Sequence, residues 1–216
     1  MQRILFSIES LVGGGAEKLL IDLARCMQHG PVQAELLILS AQPHDYDTAG
    51  LVLHELDTSD LSTDLAAQLV QKWLLSQEQS GIEYQAVVSH LKYSDQVWSL
   101  VDHPNRYFCI HNHTSIREML GKSWWKRARV YREARDLYSG KQLIAVSEGI
   151  ASDMVRTIQA KPVSIEVIPN GFDLQKVVEL GLESIDFKGP FVPVSYTHLR
   201  AHETGRNLVC RLLLEK

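Results

Sequence analysis

Short apolar runs alternate along the chain with longer stretches in which apolar residues recur every three or four positions. Arg3-Ile4-Leu5-Phe6-Ser7-Ile8 is the first run, and its near-continuous apolar character predicts a strand buried on both faces. From Ala16 to Gln28, the residues Ala16, Leu19, Leu20, Leu23 and Met27 fall at helical spacing with Glu17, Lys18, Asp22 and Arg25 between them. That pattern predicts one amphipathic helix, ended by Gly30-Pro31. Further strands are predicted over 34–39, 51–56, 86–90, 106–111, 142–146 and 164–168. Helices are predicted over 63–75, with Leu65, Leu69 and Trp73 on one stripe, over 95–102, over 115–138 with a break near Gly121, and over 148–159 with Ser147 as N-cap. Strands and helices alternating over short connections predict an α/β fold: a doubly wound, mostly parallel, Rossmann-like sheet with helices on both faces.

The first strand reaches the first helix through three glycines, Gly13-Gly14-Gly15. They match neither established phosphate cradle: Ala16 follows Gly15 where a P-loop needs a different spacing, and Lys18 stands where a dinucleotide fingerprint needs its third glycine. Two readings of this loop remain. It is a tight turn without a ligand, or it presents backbone N–H groups and a helix dipole to an anion. Glu17, in the first turn, suits that dipole.

Composition narrows the function classes. The 216 residues carry a formal net charge of −4, which gives no reason to expect nucleic acid as a partner. No apolar run is long enough to span a bilayer and MQRILFSIES lacks the layout of a secretory signal, so a cytoplasmic location is expected. Cys26, Cys109 and Cys210 form no CxxC pair and read as reduced, mostly buried thiols. One stretch departs from the acidic balance: Arg117 to Lys141 concentrates basic residues beside Trp124 and Trp125. It is either an amphipathic helix with a solvated basic face or a peripheral contact with the inner face of a membrane.

Three segments together, GGGAEKLLIDLARCMQHG, LIAVSEGIASDMV and SIEVIPNGFD, resemble the N-terminal half of a family 4 glycosyltransferase of the GT-B fold. The resemblance covers roughly residues 3–185. It implies retaining transfer of a sugar from a nucleotide-sugar, a UDP- or GDP-sugar as substrate, to a glycan or lipid-linked acceptor, with surface polysaccharide synthesis as the setting. No cofactor and no metal ion are expected. Residues 1–190 are expected to form the acceptor-side domain, and the C-terminal domain whose carboxylates hold the donor is missing from this sequence. Residues 191–216, with VSYTHLRAHETGRNLVCRLLLEK from Val194, resemble translated sequencing-adapter read-through and are expected to form no domain. His198 and His202 therefore carry no meaning despite their helical metal-pair spacing. The fragment alone is expected to be inactive. Two alternatives stay open: another GT-B enzyme, such as a nucleotide-sugar epimerase, or a non-catalytic Rossmann-like ligand-binding domain.

His111 is the candidate catalytic residue. It ends the fifth strand in YFCIHN, and the carboxyl ends of strands in open α/β sheets line the ligand crevice. The family places a histidine there beside donor sugar and acceptor, where an imidazole hydrogen-bonds sugar or steadies developing charge. An ordinary satisfied histidine is the competing reading. A metal site shared with His113 is another, for which the sequence shows no third ligand. The resemblance places Gly13, Gly14 and Gly15 at the donor. Ser147 and Asn170-Gly171 are further cleft candidates, although Ser147 is first a helix cap and Asn-Gly first a turn.

Overall fold

A computed structural model of the chain describes residues 2–28, 30–117, 123–171 and 174–182. Gly121, the predicted domain edge at residue 190 and the tail over 191–216 lie outside them. The chain divides into two compact units, 1–172 and 173–216.

The first unit is a seven-stranded sheet in the order β3-β2-β1-β4-β5-β6-β7, every pairing parallel. The strands are β1 (Gln2–Ile8), β2 (Val32–Ile38), β3 (Leu53–Glu55), β4 (Ala86–His90), β5 (Arg106–Ile110), β6 (Gln142–Ala145) and β7 (Ser164–Val167). The helices are α1 (Gly15–Met27), α2 (Thr63–Gln79), α3 (Lys92–Leu100), α4 (Thr114–Arg117), α5 (Trp124–Tyr138) and α6 (Glu148–Ser152), which runs on into a wider π-helical turn over Asp153–Thr157. In the second unit, Leu174–Gly181 is a helix, α7, that the hydrophobic pattern did not single out.

Successive strand residues feed opposite cores. Phe6 and Ile8 of β1 and Leu36 and Ile38 of β2 pack with Leu20, Ile21 and Ala24 of α1. Leu5, Leu37, Val87, Phe108 and Leu143 pack with α2, α3, α5 and α6 on the other face. This is the doubly wound arrangement expected from continuous apolar strands. The helical stripes, however, are turned by about one residue from the predicted ones. On α1 the buried positions are Glu17, Leu20, Ile21 and Ala24, and Leu23 is exposed. On α2 they are Ala66, Ala67, Val70 and Leu74, and Leu65 is exposed. Close helix-to-sheet packing favours small residues on the contact line, and periodicity weighted by hydrophobicity passes over alanine.

The strand order reverses between β1 and β4, because β2 lies on one side of β1 and β4 on the other. Connections leaving those two strands diverge, and their carboxyl ends open a crevice. The glycine loop follows β1, and His90 ends β4 at this same point.

Candidate functional site at the carboxyl edge of the sheet

All strands run the same way, so each connection that follows a strand emerges at one edge. Gly13–Gly15 lie beyond β1, His111 directly beyond β5, Ser147 beyond β6 and Asn170-Gly171 beyond β7. From β1 to β7 the row spans four inter-strand steps through β4, β5 and β6, roughly 19 Å at the usual sheet spacing.

The three glycines turn out to have three different environments. Gly13 adopts φ +38°, in the left-handed region where a side chain is strained, and a Cβ there would sit 3.2 Å from Oδ2 of Asp45. Gly14 is closed in by the protein itself. Its N–H donates to the Tyr46 hydroxyl at 3.0 Å, that hydroxyl donates back to its carbonyl at 2.8 Å, and a Cβ would run into the Glu17 carboxylate. Gly15 alone has nothing within 4 Å of its would-be Cβ. The first turn of α1 leaves the N–H groups of Gly15, Ala16 and Glu17 without intrahelical acceptors.

His111 is half-buried, and burial pulls its imidazole down to a pKa of about 4, so at neutral pH the ring is uncharged. Its Nε2 lies 2.8 Å from Nδ1 of His90, and the two rings are tilted against each other with centroids 5.1 Å apart. His90 is 3% exposed, and burial holds its pKa well below the ordinary value. The backbone just after it is strained: Leu91, a branched residue, sits at φ 68° and ψ 156°, a region ordinarily left to glycine, at a cost of about 1–3 kcal/mol. Cys109 lies beside His90 in the sheet register, its thiol pushed up to about 12 by burial and by the nearby Asp95. Asp95 is buried too and titrates near 7. Burial raises it, and hydrogen bonds from the Ser89 hydroxyl at 2.7 Å and the Tyr138 hydroxyl at 2.8 Å oppose that rise. Asp95, Cys109, His111, Asn112, Thr114 and Tyr138 line one open cleft between α3 and α5.

The remaining candidates fall nearby with simpler partners. Ser147 caps α6, its hydroxyl accepting from the Ile150 N–H at 3.3 Å. His113 does not join His111. Its ring stands over Gly149, where a Cβ would approach it to 3.2 Å. Asn170 and Gly171 are exposed. The competing reading that paired His111 with His113 is not what the structure shows: the neighbour of His111 is His90, with Cys109 beside His90 in the register. Sequence reasoning missed His90, although one signal was available: AVVSH and YFCIH are both apolar strands closed by a histidine.

The predicted helix over 115–138 is two helices, α4 and α5. Residues 123–129 are exposed, so the first two turns of α5 bury no face against the described residues. Trp124 and Trp125 are 63% and 68% exposed and stack on each other. No helix among the described residues is long and apolar enough to cross a membrane.

Comparison with known proteins adds three findings. The family model described as Glycosyltransferase Family 4 matches residues 13–176. A crystal structure of a glycosyltransferase from Rickettsia africae ESF-5 superposes with a TM-score of 0.53 at 15% identity, covering 84% of this chain and 46% of that one, so this chain spans about half the length of that neighbour. No curated protein sequence matches.

Proposed function

The chain belongs to glycosyltransferase family 4, and on that premise we propose that it is the acceptor-side half of a retaining sugar transferase using a UDP- or GDP-sugar. The acceptor is a glycan or lipid-linked sugar of surface polysaccharide synthesis, at the cytoplasmic face of a membrane. The observation that carries this reading is the convergence of Gly13–Gly15, His111, Ser147 and Asn170-Gly171 on the carboxyl edge of one parallel sheet, beside the strand-order reversal.

Within this reading the division of labour follows from the local chemistry. Gly15 and the first N–H groups of α1 give a donor phosphate open backbone to approach, whereas Gly14 is held by Tyr46 and shapes the loop. The neutral His111 ring hydrogen-bonds a sugar or acceptor hydroxyl without bringing a cation against the anomeric charge. The donor's ribose and sugar are left to a second domain following residue 190. The purified chain alone is expected to give no transfer from labelled UDP- or GDP-sugars. Joined after residue 190 to a donor-holding domain it is expected to transfer, and His111→Ala to lower kcat about 10²-fold. Transfer by the chain alone overturns the division between domains, and an unchanged kcat overturns the role of His111.

The exposed start of α5 supplies the membrane contact in this proposal. Two stacked tryptophans beside Lys126, Arg127 and Arg129 suit an interface where indole sits at headgroup depth and cations meet anionic lipid. Sedimentation with anionic vesicles is expected to exceed that with neutral ones and to fall in Trp124→Ala/Trp125→Ala. Equal, negligible binding to both vesicle types removes the membrane contact.

A further inference from the structure

Cys109 and His111 occupy alternate positions and project from the same face, and the register sets His90 beside Cys109 on the neighbouring strand. One ring nitrogen of His90, one of His111 and the sulfur of Cys109 all lie within 4.8 Å of one another. The cluster is also incomplete as a hydrogen-bonded unit: Nε2 of the buried His90 has no partner, where buried polar atoms ordinarily have one. We propose that His90, Cys109 and His111 are a binding site for one borderline-soft divalent cation of the Zn²⁺ kind.

Two imidazoles and a thiolate are a zinc ligand set, whereas the hard cations Mg²⁺ and Ca²⁺ take oxygen. Tetrahedral zinc, with bonds of about 2.0–2.1 Å to nitrogen and about 2.3 Å to sulfur, holds its nitrogens about 3.3 Å apart and its sulfur about 3.5 Å from each. The Cys109 sulfur therefore closes in while the hydrogen-bonded nitrogens, now 2.8 Å apart, open slightly. On binding, the hydrogen bond between His90 Nδ1 and His111 Nε2 breaks, one nitrogen of each ring takes the metal, and the proton of that bond moves to the other nitrogen of its ring. The Cys109 S–H proton leaves to solvent as the metal–sulfur bond forms. The fourth position falls to water or to a ligand in the cleft that Cys109 and His111 line. The ion occupies one ring nitrogen of His111 and leaves the other for a sugar or acceptor hydroxyl, and its binding is read on the chain alone, so either reading can fail without the other.

The test uses the full chain with Cys26→Ser and Cys210→Ser, which leaves Cys109 as the one thiol. Titrated with Co²⁺ as a spectroscopic stand-in, it is expected to take one equivalent, with thiolate-to-cobalt charge-transfer absorption and the strong visible bands of a tetrahedral site. One equivalent of Zn²⁺ is expected to abolish both. Cys109→Ser is expected to remove the charge-transfer band, and His90→Gln to weaken binding by about tenfold or more. X-ray absorption of the zinc-loaded wild-type chain is expected to show one sulfur in the first shell. It decides the matter where a variant fails to fold by circular dichroism. A sulfur-free shell, the lack of a charge-transfer band, or cobalt binding indifferent to His90→Gln in a folded variant overturns the proposal.

Discussion

The histidines toward the two ends of the strands are partnered in opposite ways. Toward the edge where the strands begin, Glu35 accepts hydrogen bonds from the Tyr84 hydroxyl at 2.6 Å and from the His54 ring at 2.8 Å, and pairs with Nε of Arg3 at 3.3 Å. Trp73 packs against both His54 and Tyr84. Nearby, both ring nitrogens of His103 have backbone partners, the Tyr84 carbonyl at 2.9 Å and the Asn105 N–H at 3.2 Å. At the edge where the strands end, His90 keeps one nitrogen unpartnered, Leu91 is strained and Gly15 faces open space. Saturated polar groups fix a fold, and unsaturated ones leave capacity for a ligand. The histidines of the two edges are alike in composition and differ in what they touch.

The sharpest way to break this contrast is at Glu35. Glu35→Ala strands Arg3, His54 and Tyr84 and is expected to cost roughly 3–5 kcal/mol in urea unfolding. His90→Leu removes the unpartnered Nε2 but also strands the His111 nitrogen that Nδ1 meets, and is expected to cost about 1–2 kcal/mol, less than Glu35→Ala. Similar costs at the two positions would erase the distinction between the Glu35 cluster and the half-partnered His90.

Acid sharpens it next. The folded pKa values of His90 and His111 lie below the ordinary 6.5, so below that pH the unfolded chain takes up protons the fold refuses. Stability is then expected to fall as pH drops from 6.5 toward about 4, and His90→Gln and His111→Gln to flatten that limb. Glu35 lies lower than its ordinary 4.5, chiefly through the hydrogen bond from His54, so its contribution is present above 4.5 and lost beneath it. Asp95 works the other way. Raised to about 7, it contributes below 3.8 and loses that contribution as pH climbs through 7, so Asp95→Asn is expected to steepen the net rise of stability with pH between 4 and 7. Unfolding curves at stepped pH that leave the His variants parallel to wild type would refute the histidine assignment.

The smallest effects separate the glycines. Gly13→Ala places a side chain at φ +38° and is expected to cost about 1–2 kcal/mol. Gly15→Ala, in open space at the first helical position, is expected to be neutral or stabilising by about 0.5 kcal/mol while weakening donor binding in a two-domain enzyme. A destabilised Gly15→Ala would mean that the loop is shaped for the fold throughout.

The strands were legible because their signal is local: 86–90 matches β4, and the other six strands agree within two residues at each end. Ser147 was legible as a cap for the same reason. The helical faces were less so, since Ala66, Ala67 and Ala24 are chosen for the contact line by volume, and their weak hydrophobicity hides them in the pattern. The basic stretch of α5 read either as an amphipathic helix with a solvated face or as a membrane contact, and only the fold shows its first turns exposed among the described residues.

By itself, the order of apolar runs and turns determined an alternating α/β chain with a parallel sheet, and hence a carboxyl edge carrying Gly13–Gly15, His111, Ser147 and Asn170-Gly171. The tertiary structure decided which of those groups are already spoken for. Tyr46, 32 residues downstream, occupies Gly14. His90, 21 residues before His111 in the chain, becomes its neighbour because β4 pairs with β5 in a register that brings the two strand ends level. Pairing across such separations is set by strand order and register, which a one-dimensional pattern does not contain.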